Sequence, residues 1–144
     1  MRILTLILGV FIGVLANQAL ANKQINCIAD AVYHESRGEP IKCQYKVANV
    51  IINRVNHERW NNTACGVVYE KGQFSWVSRK LKVKNTDSYK IALKIAKDVY
   101  TKSVHDTTHK STYFTRGVRF KNTVQVDSCG SHKFYRLKNE TNKL

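Results

Sequence analysis

The sequence predicts an α+β fold in a single domain, a helical lobe followed by a small antiparallel β lobe. Two observations set the class. Apolar residues recur at helical spacing through the first two-thirds of the chain, whereas the last third breaks into short β-branched and aromatic runs. A third sets the domain count: one proline, no internal repeat and no low-complexity tract leave no linker in 144 residues.

The first 21 residues stand apart from that domain. Arg2 precedes a largely apolar run from Ile3 to Ala16, and Ala19-Leu20-Ala21 closes it with small residues. This is the pattern of a secretory signal peptide, with cleavage expected after Ala21 and residues 22–144 left as the folded domain. The run is short for a bilayer span, and an uncleaved anchor is the alternative. Export follows from either reading.

Ile25 to Tyr33 reads as a helix with Ile28, Ala29, Val32 and Tyr33 on one stripe. Gly38 and Pro40 mark a break, with Pro40 suited to the first position of the next helix. Val47, Ala48, Val50, Ile51, Ile52 and Val55 form the apolar side of that second helix. Thr63 to Tyr69 is a short apolar, helical piece. Gln73-Phe74-Ser75-Trp76 alternates polar and aromatic residues, either as a strand with Phe74 and Trp76 inward or as a sugar-binding surface. Thr86 to Lys102 is a third amphipathic helix, with Thr86 or Asp87 near its cap and Ile91, Ile95 and Val99 inward. Strands are expected over 111–115, 118–120, 123–126 and 132–136, with turns at Gly117, Lys121-Asn122 and Cys129-Gly130. The joint between such lobes leaves a groove of the kind ligands occupy.

Four cysteines, Cys27, Cys43, Cys65 and Cys129, include no C-x-x-C pair, which excludes the common zinc spacings. In an oxidising compartment they predict two disulfides. A 27–43 bond is disfavoured if the first two helices form a hairpin, and the remaining choice is open. The formal charge is +14, and Arg2 is the one charged residue before position 22, so the exported chain carries +13. Such a field favours polyanionic partners; export directs it toward anionic cell-envelope polymers rather than nucleic acid.

Chemistry concentrates in Tyr33-His34-Glu35-Ser36-Arg37-Gly38-Glu39. Glu35 ends a buried helix, where carbonyl dipoles and apolar neighbours both disfavour ionisation, the setting of a general acid. Glu39 reads equally as a helix cap beside Pro40 or as a second catalytic carboxylate. Arg37 is expected to point away from Glu35 and pair with Glu39 or another carboxylate. His34-Glu35 fails as a zinc-protease helix because Gly38 stands where a second histidine is needed. His105 and His109 are spaced four apart in a loop-like stretch and read as solvated. No metal or other cofactor is therefore expected. Nucleophile elbows, P-loops and dinucleotide fingerprints are absent, and a cysteine nucleophile with His132 competes poorly with disulfide use.

Residues 33–40, 47–55, 62–69, 72–76 and 130–136, in that order, resemble the SleB-type cell-wall hydrolase family across nearly the whole exported chain. The resemblance implies a lysozyme-like helical lobe with a small β lobe, acting on peptidoglycan glycan strands with the family's catalytic glutamate at Glu35. It implies lytic transglycosylase chemistry between N-acetylmuramic acid and N-acetylglucosamine. Glu39 is the candidate second catalytic residue; Gln73, Phe74, Ser75, Tyr113, His132 and Tyr135 are the candidates for substrate binding. The family's usual histidine is replaced by Tyr113, which hydrogen-bonds but does not carry a proton at neutrality. The competing functions are an N-acetylmuramoyl-L-alanine amidase and a non-catalytic module binding the wall or polyanions. No stable protein partner is expected, and the location is periplasmic, extracellular or in the cell wall.

Overall fold

A computed structural model describes residues 2–140, with side chains from residue 13 onward. Five helices precede three strands: α1 (Arg2–Ser36), α2 (Ile41–Val55), α3 (Ala64–Tyr69), α4 (Ser75–Ser78), α5 (Thr86–Tyr100), β1 (Tyr113–Thr115), β2 (Thr123–Cys129) and β3 (His132–Leu137). A 3-10 turn over Lys138–Glu140 follows.

The helical core forms where the apolar stripes meet. Ile28, Ala29, Val32 and Tyr33 of α1 pack against Ala48 and Ile51 of α2, Val67 and Val68 of α3, and Ala92, Ile95, Ala96 and Val99 of α5. Tyr33 also pins two helices together: its hydroxyl accepts the backbone N–H groups of Lys84 and Asn85, each at 3.0 Å, at the start of α5. Asp30 accepts hydroxyls from Tyr69 (2.6 Å) and Tyr89 (2.8 Å), tying α1 to α3 and α5 at its surface. Burial and this acceptor raise the pKa of both tyrosines.

The segment expected to be a signal continues α1 without a break, with Val14, Leu15 and Leu20 exposed. Among the described residues no helix is long and apolar enough to cross a membrane.

The sheet runs β1-β3-β2, both pairs antiparallel. Tyr113 faces Tyr135, and Cys129 faces His132 across a tight turn at Gly130, whose φ is +57°. A bulge lies between Gln125 and Asp127. Phe134 buries the sheet on Cys43, Val47 and Val50 of α2. Two disulfides lock this arrangement: Cys27–Cys65 ties α1 to α3, and Cys43–Cys129 ties α2 to β2. By loop-closure entropy, bonds spanning 38 and 86 residues stabilise by about 4 and about 4.5 kcal/mol.

Several elements differ from expectation. The 118–120 run is not a strand. It crosses from β1 to β2, the two outer strands on either side of β3, and is used up in that crossing rather than laid along a strand, with Val118 exposed. Phe74 and Trp76 are both buried, but as an extended residue leading into the one-turn helix α4 rather than as a strand. The cap of α5 is Asn85, whose side chain accepts from Ser88 N–H at 2.9 Å, and Ile91 lies exposed at the edge of a stripe centred on Ala92 and Ala96. Pro40 caps α2 with no side-chain hydrogen bond, so Glu39 is not a helix cap.

Candidate active site

Glu35 sits on the last turn of α1, half-buried, where the helical lobe meets β1. It opens into a cleft of about 270 Å³ whose other walls are Phe114, Thr115, Arg116, Gly117 and His132. Among these lining residues Glu35 is the sole carboxylate. Burial raises its pKa; the nearby Arg116 guanidinium opposes the shift, with smaller opposition from the Trp76 indole, Arg54 and Arg79. The Trp76 N–H is aimed to favour the Glu35 anion, although its buried Nε1 has no partner at ordinary hydrogen-bond geometry. Desolvation wins, and the acid holds its proton to higher pH than a free glutamate.

Glu39 has a different place. Its carboxylate accepts the Ser131 backbone N–H at 3.2 Å and the Ser131 hydroxyl, in the turn between β2 and β3. A Cβ at Gly130 would come within 1.9 Å of Glu39 Oε2, so this approach requires glycine as much as the positive φ does. The Ser131 bonds, with His132 and Arg116 nearby, lower the Glu39 pKa and keep it ionised. Glu39 is a clip between the lobes and does not line the cleft beside Glu35.

His132 is almost fully buried between Phe114 and Phe134. Its Nε2 accepts from Arg116 Nε at 3.2 Å, which leaves the proton on Nδ1, 3.9 Å from Glu39 Oε1 and without a hydrogen-bond partner. Burial and Arg116 lower its pKa, so the ring is neutral at neutral pH. Arg116 also donates to the carbonyl oxygen of Glu35, joining β-lobe loop to helix end. One arginine thus orients the histidine and braces the backbone that carries the acid.

The remaining candidates scatter. Gln73 accepts from Arg54 Nη1 at 3.3 Å, and Arg54 is buried against the rings of Trp60, Phe74 and Tyr113. Burial lowers the Arg54 pKa to about 10, still cationic at neutrality. Phe74 lies in the core; Ser75 is exposed, its hydroxyl accepting from Arg79. Tyr113 is half-buried beside Trp60, while Tyr135 is buried against Phe120. Tyr135 and Phe74 are therefore buried residues that do not line the cleft at Glu35. Arg37 points away from Glu35 as expected, yet pairs with no carboxylate among the described residues; it stacks on the Tyr33 ring at 4.8 Å. Arg116 is the site residue missed in sequence: a lone arginine beside a turn glycine has no periodicity or motif to mark it. Among the described residues no group of three or more His, Cys, Asp or Glu could hold a metal.

Residues 38–135 match the family model described as Cell Wall Hydrolase. The chain belongs to the cell wall hydrolase family. Over 58 residues it is 41% identical to a spore cortex-lytic enzyme of Bacillus subtilis and 45% to one of Bacillus cereus. Those stretches cover 40% of this chain but 19% and 22% of the two enzymes, so the chain spans about a fifth of their length. In three dimensions it is similar to the catalytic domain of Bacillus cereus SleB, with a TM-score of 0.63 and 31% identity, covering 78% of this chain and 89% of that one. The catalytic domain of the germination-specific lytic transglycosylase SleB from Bacillus anthracis gives the same TM-score and identity over 93% of its length. The helical lobe with its three-stranded sheet is thus the architecture of a SleB-type catalytic domain. Glu35 lies three residues before the matched stretch begins, so its role rests on the geometry above.

Proposed function

We propose that this cell wall hydrolase cleaves peptidoglycan glycan strands, as a lytic transglycosylase with Glu35 as general acid and then base. The observation that carries the reading is a half-buried carboxyl with a raised pKa, the sole carboxylate lining its cleft. Glu35 donates its proton to the oxygen joining N-acetylmuramic acid to N-acetylglucosamine as oxocarbenium character develops at the muramyl C1. The muramyl 6-hydroxyl attacks that carbon and gives its proton to the glutamate. The products are a free N-acetylglucosamine hydroxyl and a 1,6-anhydro sugar. One carboxylate suffices for this cycle, which accords with Glu39 being held in the Ser131 clip. Arg116 holds the helix end in place, and Thr115 supplies a hydroxyl on the opposite wall.

Export fits this reading: the substrate lies outside the cytoplasm, and the +13 charge of residues 22–144 holds the enzyme near anionic envelope polymers. Mass spectrometry of products from purified sacculi tests the proposal. Anhydro-muropeptides are expected, with no effect of chelators. Reducing-end sugars without anhydro product would replace transglycosylation by hydrolysis, and cleavage at the lactyl amide would replace the glycosidic reading altogether.

A further inference from the structure

The cleft at Glu35 is smaller than a hollow elsewhere in the described residues. This hollow, of about 890 Å³, lies beyond the end of α2, bounded by the residue before β1, the end of β3 and the 3-10 turn. Two wall residues carry buried polar atoms with no hydrogen-bond partner: Thr112 Oγ1 and Arg136 Nε. Thr112 is 2% exposed and Arg136 7%. Of the five N–H groups on the Arg136 guanidinium, one donates, to the His109 carbonyl at 3.5 Å, and no carboxylate among the described residues pairs with it. A cation withdrawn from water without a counter-charge is costly.

The local acids do not supply that charge. Glu140, on the opposite rim, is taken by His57 at 2.6 Å, and Glu58, the other acid on the wall, is exposed and forms no ion pair with Arg136 among the described residues. Lys110 and Arg59 add two further cations to the wall. Asn53 donates to Asp106, Thr108 and the Ser111 carbonyl, which keeps its carbonyl oxygen available as an acceptor. Among the described residues the hollow therefore offers a guanidinium without a carboxylate partner, an ammonium, an unsatisfied hydroxyl and an amide acceptor, in a volume suited to a small organic ligand.

We propose that this hollow is a second binding site, which takes the free carboxylate of a short peptide. Arg136 and Lys110 receive the carboxylate, while Thr112 and Asn53 meet the peptide's amide groups. The choice of a peptide acid rests on the glycan-cleaving reading above, because the stem peptides of peptidoglycan are pendant peptide acids on that same strand. Position supports it. Thr112 lines the hollow and Thr115 lines the cleft, three residues apart on extended chain, or roughly 10 Å at 3.3 Å per residue. A glycan seated at Glu35 would carry its peptides within reach.

Titration calorimetry on the full chain tests this, with a synthetic tripeptide ending in a free carboxylate, the same peptide as its C-terminal amide, and inorganic phosphate. The acid is expected to bind and the amide to bind about 10- to 100-fold more weakly, the worth of a hydrogen bond to a charged group. Arg136→Gln should weaken the acid to the level of the amide. Because that buried variant could misfold, Lys110→Glu at an exposed position serves as the second, and its melting temperature is measured beside its affinity. Equal binding of acid and amide, or no loss in Lys110→Glu with the fold intact, overturns the proposal. Phosphate bound as tightly as the peptide acid overturns the peptide assignment. Peptide binding without glycan cleavage would sink the proposed activity and leave this site standing; cleavage without peptide binding does the reverse.

Discussion

Glu35 and Glu39 lie four residues apart in sequence and in opposite environments. The first ends a helix against Trp76 and a cleft wall, where burial outweighs what the Trp76 N–H and the nearby cations offer its carboxylate, and is pushed toward the neutral acid. The second receives an N–H and a hydroxyl from Ser131, stands near Arg116 and His132, and is pushed toward the anion. The difference is made by the β lobe. Its hairpin turn delivers donors to one glutamate and, across the cleft, only rings, a threonine and a positioned arginine to the other. One lobe thus sorts two identical side chains into a carboxyl pushed toward the neutral acid, as the proposed chemistry needs, and an ion that ties the lobes together.

The sharpest way to break that division is Glu35→Gln, which keeps shape and removes the proton. Release of soluble muropeptides should fall by about 10²–10⁴-fold, the usual loss of a general acid. Stability should move the other way. A raised native pKa means that the unfolded chain ionises first, so the native state loses stability as pH rises above the ordinary 4.5 and through the native value. The glutamine variant escapes this loss and should melt higher at neutral pH, with the gap closing below pH 4.5. Full turnover in the variant would end the assignment.

Glu39→Gln should reverse the pattern. Here the native pKa is lowered, so stability is present above the ordinary 4.5 and lost as pH falls through the native value. At neutral pH the variant should unfold about 1–2 kcal/mol more easily in urea, from weakened charge-assisted bonds to Ser131, and the deficit should fade in acid. Its activity should drop far less than that of Glu35→Gln. A loss as deep as the first would restore Glu39 as a second catalytic carboxylate.

How much of this could be read from the sequence follows from how local each cause is. Glu35 was legible because an apolar stripe through Ile28 and Val32 fixes where the helix ends, and a carboxyl on its last turn inherits that setting. The inward stripe of α5 was legible only in part, since its spacing admits Ile91 equally with Ala92, and packing against α1 decided between them. Glu39 was ambiguous because its partner Ser131 comes 92 residues later. The disulfide pairing is likewise a property of lobe docking, carried by no spacing among the cysteines. Arg116 was invisible: nothing around it announces that its guanidinium reaches back 81 residues to the Glu35 carbonyl.

That arginine gives the finest test of the comparison, because it touches both halves. Near Glu35 it favours the anion and lowers the acid's pKa against the larger effect of burial. Replacing it with glutamine removes the charge and keeps an N–H where Arg116 Nε donates to His132 Nε2, while the longer reach of Nη2 to the Glu35 carbonyl is lost. The Glu35 pKa should then rise further, and the alkaline limb of the rate profile, where the acid loses its proton, should move to higher pH. Glu39 feels Arg116 weakly, behind the Ser131 bonds and His132, so stability in acid should barely change. A shifted limb with an unshifted acid transition would separate the two carboxylates by a single charge. An unmoved limb would mean that another group governs the profile, and the acid would have to be sought elsewhere.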